Sequence, residues 1–408
     1  MDAGKQPRLG TSTPNVLQKL VSMTRQRDLP PKAKEEEKKH LRELEEMRTA
    51  AKEAEKRRQA TLASAAAART ARIASAFPTW ESSILPNWRV VLHHDSEGLS
   101  LRKLWWEGTM PVRWRGRLWG LCVGNGLAVS KGSYSGHLDK ARKAVGEGRW
   151  EEVVERLERD VEETLPTLKL FQKGGVMHDE LVDVLLAYTM YASSVSLRPP
   201  RYPVGIACPA AMLLVNMPVV DAWVSLVNLV NKSYLKSFYS EDTEECEAYC
   251  RIFDTLLADS MPKIYENFSK EVVRPALYLA PWLTSVYVRF LPLDLATRIF
   301  DIFLLEGDSF LFRVALVLLQ ILEPRLFNPV QAELDAVFKG SDRGAVAIVR
   351  RQRASAGAGE DGEIEVQVEE VYTEMGVTEE AVFRGLEEMV WREETWDRLV
   401  TRELPEAD

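Results

Sequence analysis

Cysteine and histidine are scarce in this 408-residue chain, which has four of the first and five of the second. Cys122, Cys208, Cys246 and Cys250 are too few and too scattered for a disulfide framework, and a reducing compartment is the natural expectation. Cys246 and Cys250 stand four apart in a helical-looking stretch, but no histidine cluster joins them, so no metal site is expected. Neither G-x-S-x-G nor G-x-x-x-x-G-K-[ST] occurs, which argues against a hydrolase nucleophile, an intrinsic nucleotide loop and a bound cofactor. Long apolar runs are missing as well. The longest, Leu311 to Leu322, is broken by Arg313 and Gln320 and falls short of the roughly 20 residues a membrane span needs. It reads as a core helix, and no transmembrane segment is expected. No apolar segment follows the first charges, so no secretory signal is expected either. Positive charge is not in excess: 53 Lys and Arg face 61 Asp and Glu, which speaks against a general nucleic-acid binder.

What is present is helical pattern. Residues 1–30 form a basic arm rich in Gly, Pro, Ser and Thr, open to solvation or to peripheral contact with an anionic membrane. Residues 31–78 turn to Lys, Glu, Arg and Ala with a short Leu41, Leu44, Met47 stripe. A single charged helix and a coiled-coil partner helix both fit that composition. An approach segment, 79–100, carries Trp80 and Leu85-Pro86-Asn87-Trp88, and its aromatics are expected to dock on the main domain. That domain occupies residues 101–330. Helices are expected over Trp150 to Glu163, His178 to Tyr191, Ala207 to Asn216, Val220 to Lys232, Glu244 to Met261, Leu279 to Phe290, Leu293 to Leu305 and Phe310 to Leu322. Strand-like alternation is not sustained anywhere after Gly205, and the fold class is all-α. Residues 331–408 read as a C-terminal helical extension with a Gly/Ala/acidic linker at 354–362. Its last helix is expected to pack back on the domain or to bind a partner.

The stretch Leu104 to Leu121, LWWEGTMPVRWRGRLWGL, sets a Gly/Pro break between a double tryptophan and Arg115-Gly116-x-x-Trp119. It resembles the opening of a TBC domain, the catalytic module of Rab GTPase-activating proteins. Trp105-Trp106 with the upstream LPNW segment is similar to a subgroup linked to endosomal recycling and autophagy. Leu291-Pro292 followed by Arg298-x-x-Asp301, then Glu306-Gly307-Asp308, resembles the family's late helix and turn. The likeness covers roughly Leu101 to Leu322.

That resemblance implies two catalytic side chains offered in trans to a Rab GTPase. One is an arginine in I-x-x-D-x-x-R, worth about 10³ to 10⁵ in rate; the other is a glutamine in Y-x-Q. Here the first motif reads Leu157 to Pro166, with Asp160, Thr164 and Pro166 fixing the register, so Glu163 stands at the arginine position. The second reads Tyr202-Pro203-Val204-Gly205, and Val204 stands at the glutamine position. Both substitutions oppose the chemistry. A carboxylate about 4 Å from a phosphate charge is repelled by about 4 kcal/mol at an effective dielectric of 20, and valine cannot hold a water.

Arg159, Arg198 and Arg201 are the arginines available as surrogates. Arg159 is one turn before Glu163, with which an i,i+4 ion pair is expected; Arg198 and Arg201 lie in the proline-rich loop before Tyr202. Arg115, Trp119, Asp160, Glu163, Tyr202 and Gly205 are the residues expected to shape or touch the partner surface. The resulting expectation is a cytoplasmic protein, peripheral to endosomal or other vesicle membranes, that binds Rab GTPases and regulates vesicle trafficking without dual-finger activation. Two alternatives stand beside it: an active GTPase activator using a surrogate arginine, and a coiled-coil adaptor for which the TBC fold is a platform.

Overall fold

The computed structural model describes residues 34–93, 95–196, 199–240, 242–327, 330–355 and 366–404. The basic arm, Arg198 and most of the expected 354–362 linker fall outside them. Among the described residues there are nineteen α-helices and no strand. Contacts divide the chain into residues 1–71 and 72–408. Helix α1 (Lys34–Thr79) supplies all that is described of the first unit and the first residues of the second. Its stretch within the first unit is charged and almost wholly exposed, including Leu41 and Met47.

The second unit continues as α2 (Ser96–Trp106), α3 (Val112–Val123), α4 (Ser133–Gly146), α5 (Glu151–Glu162), α6 (His178–Ser196), α7 (Ala207–Asn216), α8 (Val219–Val230), α9 (Ser233–Ser240), α10 (Thr243–Ser260) and α11 (Pro262–Lys270). Then come α12 (Leu279–Thr284), α13 (Leu293–Glu306), α14 (Asp308–Leu322), α15 (Gln331–Phe338), α16 (Arg343–Ser355), α17 (Val368–Glu374), α18 (Glu379–Glu388) and α19 (Glu393–Glu403). The apolar run expected as a core helix is α14, and it lies among the most buried parts of the molecule. None of the described helices is long and apolar enough to cross a membrane.

The opening tryptophans are structural. Trp80 and Trp105 are buried with ring centroids 4.8 Å apart, and Trp80 Nε1 donates to Thr109 Oγ1 at 3.0 Å. The approach segment is thus docked through one of its expected aromatics. Asp301 of α13, almost without solvent exposure, joins three elements. Its carboxylate accepts from Trp119 Nε1 at 2.7 Å and from Arg115 Nε at 3.1 Å, and its carbonyl accepts from Trp105 Nε1 at 3.0 Å. Burial raises the Asp301 pKa, and the Arg115 guanidinium and Trp119 N–H oppose that rise. Gly116 explains how α3 approaches α7: a Cβ there would lie 1.9 Å from the Asn216 carbonyl oxygen.

The structure differs from the sequence expectation at three helices, the last of them for a local reason. Short helices α9 and α11 were not anticipated. The helix expected over Leu279 to Phe290 stops at Thr284. Beyond it Val286 and Tyr287 take left-handed backbone angles, with φ of 47° and 62°, an arrangement that costs about 1–3 kcal/mol per residue and needs strong surroundings. Those surroundings exist: both residues are fully buried, Tyr287 donates its hydroxyl to the Leu311 carbonyl at 2.6 Å, and Ser285 Oγ donates to Pro281 O at 2.8 Å.

The C-terminal extension packs back on the domain. Tyr372 of α17 is fully buried, accepts from Trp282 Nε1 at 3.1 Å and donates to the Phe338 carbonyl at 2.7 Å. Trp396 of α19 lies 4.7 Å from the ring of Phe312, and Glu379 of α18 pairs with Arg298 at 2.8 Å. The extension is therefore part of the core. Trp396→Ala is expected to cost about 3–5 kcal/mol of stability, measured by denaturant unfolding of the full chain with Trp396→Phe as the milder control.

Candidate functional site

Helix α5 ends where the first motif predicts a turn. Glu163 is its C-cap residue, and Leu165 and Lys169 adopt left-handed angles on either side of a short Pro166–Leu168 turn. Thr164 Oγ1 donates to the Asp160 carbonyl at 2.7 Å, and Gln172 Nε2 donates to the carbonyls of Glu162 and Thr164 at 3.1 and 2.9 Å. These side chains take up carbonyls at the helix end, beside the turn's own backbone bonds from Thr164 N–H to the Val161 carbonyl and from Leu168 N–H to the Leu165 carbonyl.

Asp160 is the centre of the site. Its carboxylate is buried and accepts from the Tyr202 hydroxyl at 2.6 Å, from the Gly205 N–H at 3.0 Å, from the Ala207 N–H at 3.1 Å and from the Arg289 guanidinium. These bonds tie the end of α5 to the loop before α7. Gly205 takes φ of 95°, and a Cβ there would meet Thr284 Oγ1 at 2.9 Å, so both the angle and the space favour glycine. Burial, then the neighbouring Asp160 charge, push the Tyr202 phenol well above its ordinary pKa, which keeps it a donor. Cys208 lies beside this network, 3.8 Å from Thr164 Oγ1, and burial pushes its thiol up to about 11.

The two motif positions come to the surface next to this hub. Glu163 has 54% of its side chain exposed, and Val204 is 52% exposed. Arg289, absent from the sequence reading, reaches both carboxylates: it bonds Asp160, and its Nη1 lies 3.1 Å from Glu163 Oε2. The signal that could have exposed it was weak, an arginine three residues before Pro292 in an apolar stretch. The expected Arg159–Glu163 pair does not form. Arg159 reaches Glu155 at 2.8 Å instead, because helical side chains lean toward the N-terminus and the Glu-first i,i+4 order is the favourable one.

Arg115 and Trp119 belong to the Asp301 hub. Trp119 has no exposed surface and Arg115 little, so their part is to fix α3 on α13. Arg201 and Tyr202 line a cleft of about 810 Å³ with Arg156, Tyr188, Tyr191 and Tyr239. Neither Glu163 nor Val204 lines it. Among the described residues no group of His, Cys, Asp and Glu could hold a metal ion.

Comparison with known proteins bears on this geometry. The family model of the Rab-GTPase-TBC domain matches residues 112–327. TBC1 domain family member 12 of Xenopus tropicalis is 32% identical over 334 residues, covering 76% of this chain and 47% of that protein. Drainin of Dictyostelium discoideum is 30% identical over 359 residues, covering 75% of this chain and 80% of that protein. The chain thus spans about half the length of the former and most of the latter. Among solved structures, a Chlamydomonas flagellar RabGAP TBC domain is similar with a TM-score of 0.49 and 20% identity, covering 76% of this chain and 93% of the other.

Removing the hub carboxylate leaves three buried donors unsatisfied and Arg289 with Glu163 alone. Asp160→Ala is expected to cost about 3–5 kcal/mol, read by denaturant unfolding, whereas Glu163→Ala at the exposed position should stay within about 1 kcal/mol. Cys208 offers a chemical check. Its thiol is raised, so the reactive thiolate is absent at pH 8 and emerges only toward about 11. Alkylation of the native protein at pH 8, followed by mass spectrometry, should leave Cys208 unmodified and label it only after unfolding.

Proposed function

The chain belongs to the Rab-GTPase-TBC domain family, and from that premise we propose that it docks a Rab GTPase over the Glu163–Val204 surface without supplying the catalytic pair. The observation that carries this reading is the state of the two motif positions. Their scaffold is intact: Asp160, Tyr202, Gly205 and Arg289 hold the end of α5 against the loop before α7. What the scaffold presents is a carboxylate and an isopropyl group. Neither can neutralise charge developing on a transferred phosphoryl group, and neither can orient the attacking water.

The role this supports is that of an effector or sequestering scaffold in vesicle traffic. Binding energy would come from protein–protein contact around the preserved turn, with the adjoining cleft as part of the docking surface. Arg201 remains the surrogate closest in sequence to the second motif, so it is the residue the assay must address. Arg159 is occupied by Glu155 on the exposed side of α5.

Single-turnover GTP hydrolysis by a panel of purified Rab proteins, with the full chain in excess and binding recorded on the same samples, tests the reading. Binding with hydrolysis within about threefold of the intrinsic rate is expected. An acceleration of about a hundredfold or more, an appreciable part of what an arginine finger supplies, overturns it. Abolition of that acceleration in Arg201→Ala would identify the finger.

A further inference from the structure

The Glu163–Arg289 contact changes the charge of the site as well as its chemistry. Asp160, Glu163 and Arg289 together carry one formal negative charge; an arginine at 163 would make the same trio carry one positive charge. Glu163 is also the more exposed member of its pair, 54% against 23% for the Arg289 side chain. A carboxylate therefore stands on the outer side of the guanidinium. Any phosphoryl oxygen approaching Arg289 at that end must displace an anion already 3.1 Å from Nη1. The inner side is taken as well, since Arg289 bonds the buried Asp160.

We propose that Glu163 is a built-in anion that masks Arg289, so that the docking surface accepts the GDP-bound form of its partner at least as well as the GTP-bound form. The proposal rests on the reading that the partner is a Rab GTPase and adds which nucleotide state the surface favours. The physical reason is differential affinity: a surface selects one state only by interacting more favourably with it. The third phosphate adds negative charge on the partner's side. With Arg289 already compensated, the Asp160–Glu163–Arg289 trio has no attraction to offer it, and the exposed face of Glu163 repels it. The contacts that remain are those of protein with protein, and they carry less information about the nucleotide. The turn bearing Glu163 is fixed by Gln172 and Thr164, so moving the carboxylate away would disturb more than one side chain.

Glu163→Gln removes the charge and keeps the shape. Affinities of the full chain, wild type and Glu163→Gln, would be measured for Rab proteins loaded with GDP or with a non-hydrolysable GTP analogue at low ionic strength, where charge effects are largest. The wild type should hold the GDP form as tightly as the GTP form or more so. The variant should gain about threefold to tenfold for the GTP form and leave the GDP form nearly unchanged. A wild type that prefers the GTP form more than about tenfold, or a variant that moves both forms alike, overturns the proposal.

A second readout needs no partner. Phenylglyoxal attacks accessible guanidinium groups, and peptide mass spectrometry would follow Arg289 against Arg113, whose side chain is 56% exposed. Arg289 should react slowly in the wild type and severalfold faster in Glu163→Ala. Equal reaction in both overturns the masking even if Rab docking stands. Masking without any Rab binding in either state overturns the functional reading and the state preference, and leaves only the charge mask.

Discussion

One buried carboxylate holds the site together. Asp160 faces a hydroxyl, two backbone N–H groups and a guanidinium, drawn from the loop before α7 and from the segment before α13. A buried charge is tolerable only when so compensated, and the compensation dictates geometry. The donors must converge within hydrogen-bond distance, so the end of α5, the Tyr202–Ala207 loop and Arg289 are locked in register. The surface where residues 163 and 204 emerge is set by that lock.

A similar device operates on the other side of the core. Asp301 gathers Trp105, Trp119 and Arg115, so the opening helices are held to α13 by polar bonds inside an aromatic cluster. Hydrophobic burial supplies most of the favourable free energy of such a fold but is non-directional; the two aspartates supply direction. The C-terminal helices complete the arrangement. Tyr372 and Trp396 bury large rings against α12, α15 and α14, so the folded unit extends well past the matched family segment.

Much of this was legible in the chain. Helical spacing and proline punctuation located α7 to the residue and several others to within one or two. The motif register alone singles out Asp160, Glu163, Tyr202, Val204 and Gly205. Two kinds of feature stayed hidden. The first was the bend at Val286 and Tyr287: a β-branched residue at positive φ opposes local preference and persists because burial and the Tyr287–Leu311 bond enforce it. Arg289 comes just after that bend and reaches Asp160 across 129 positions, so its role was hidden with it. The second was side-chain direction. Four-residue spacing admitted both Glu155 and Glu163 as partners of Arg159, and only the lean of helical side chains decides between them. Arg115 and Trp119, correctly seen as neighbours on one helix face, serve the Asp301 hub for a reason no local spacing contains.

The exposure of the two motif side chains has a consequence for the history of such a surface. Residues 163 and 204 stand at the edge of the lock that positions them, each about half exposed, where substitutions usually change stability by about 1 kcal/mol or less. Folding therefore places little restraint on what stands at either position. Descent can rewrite the reactive tips of this surface while its shape passes on unaltered, so kinship of form among such proteins is a poor guide to kinship of reaction.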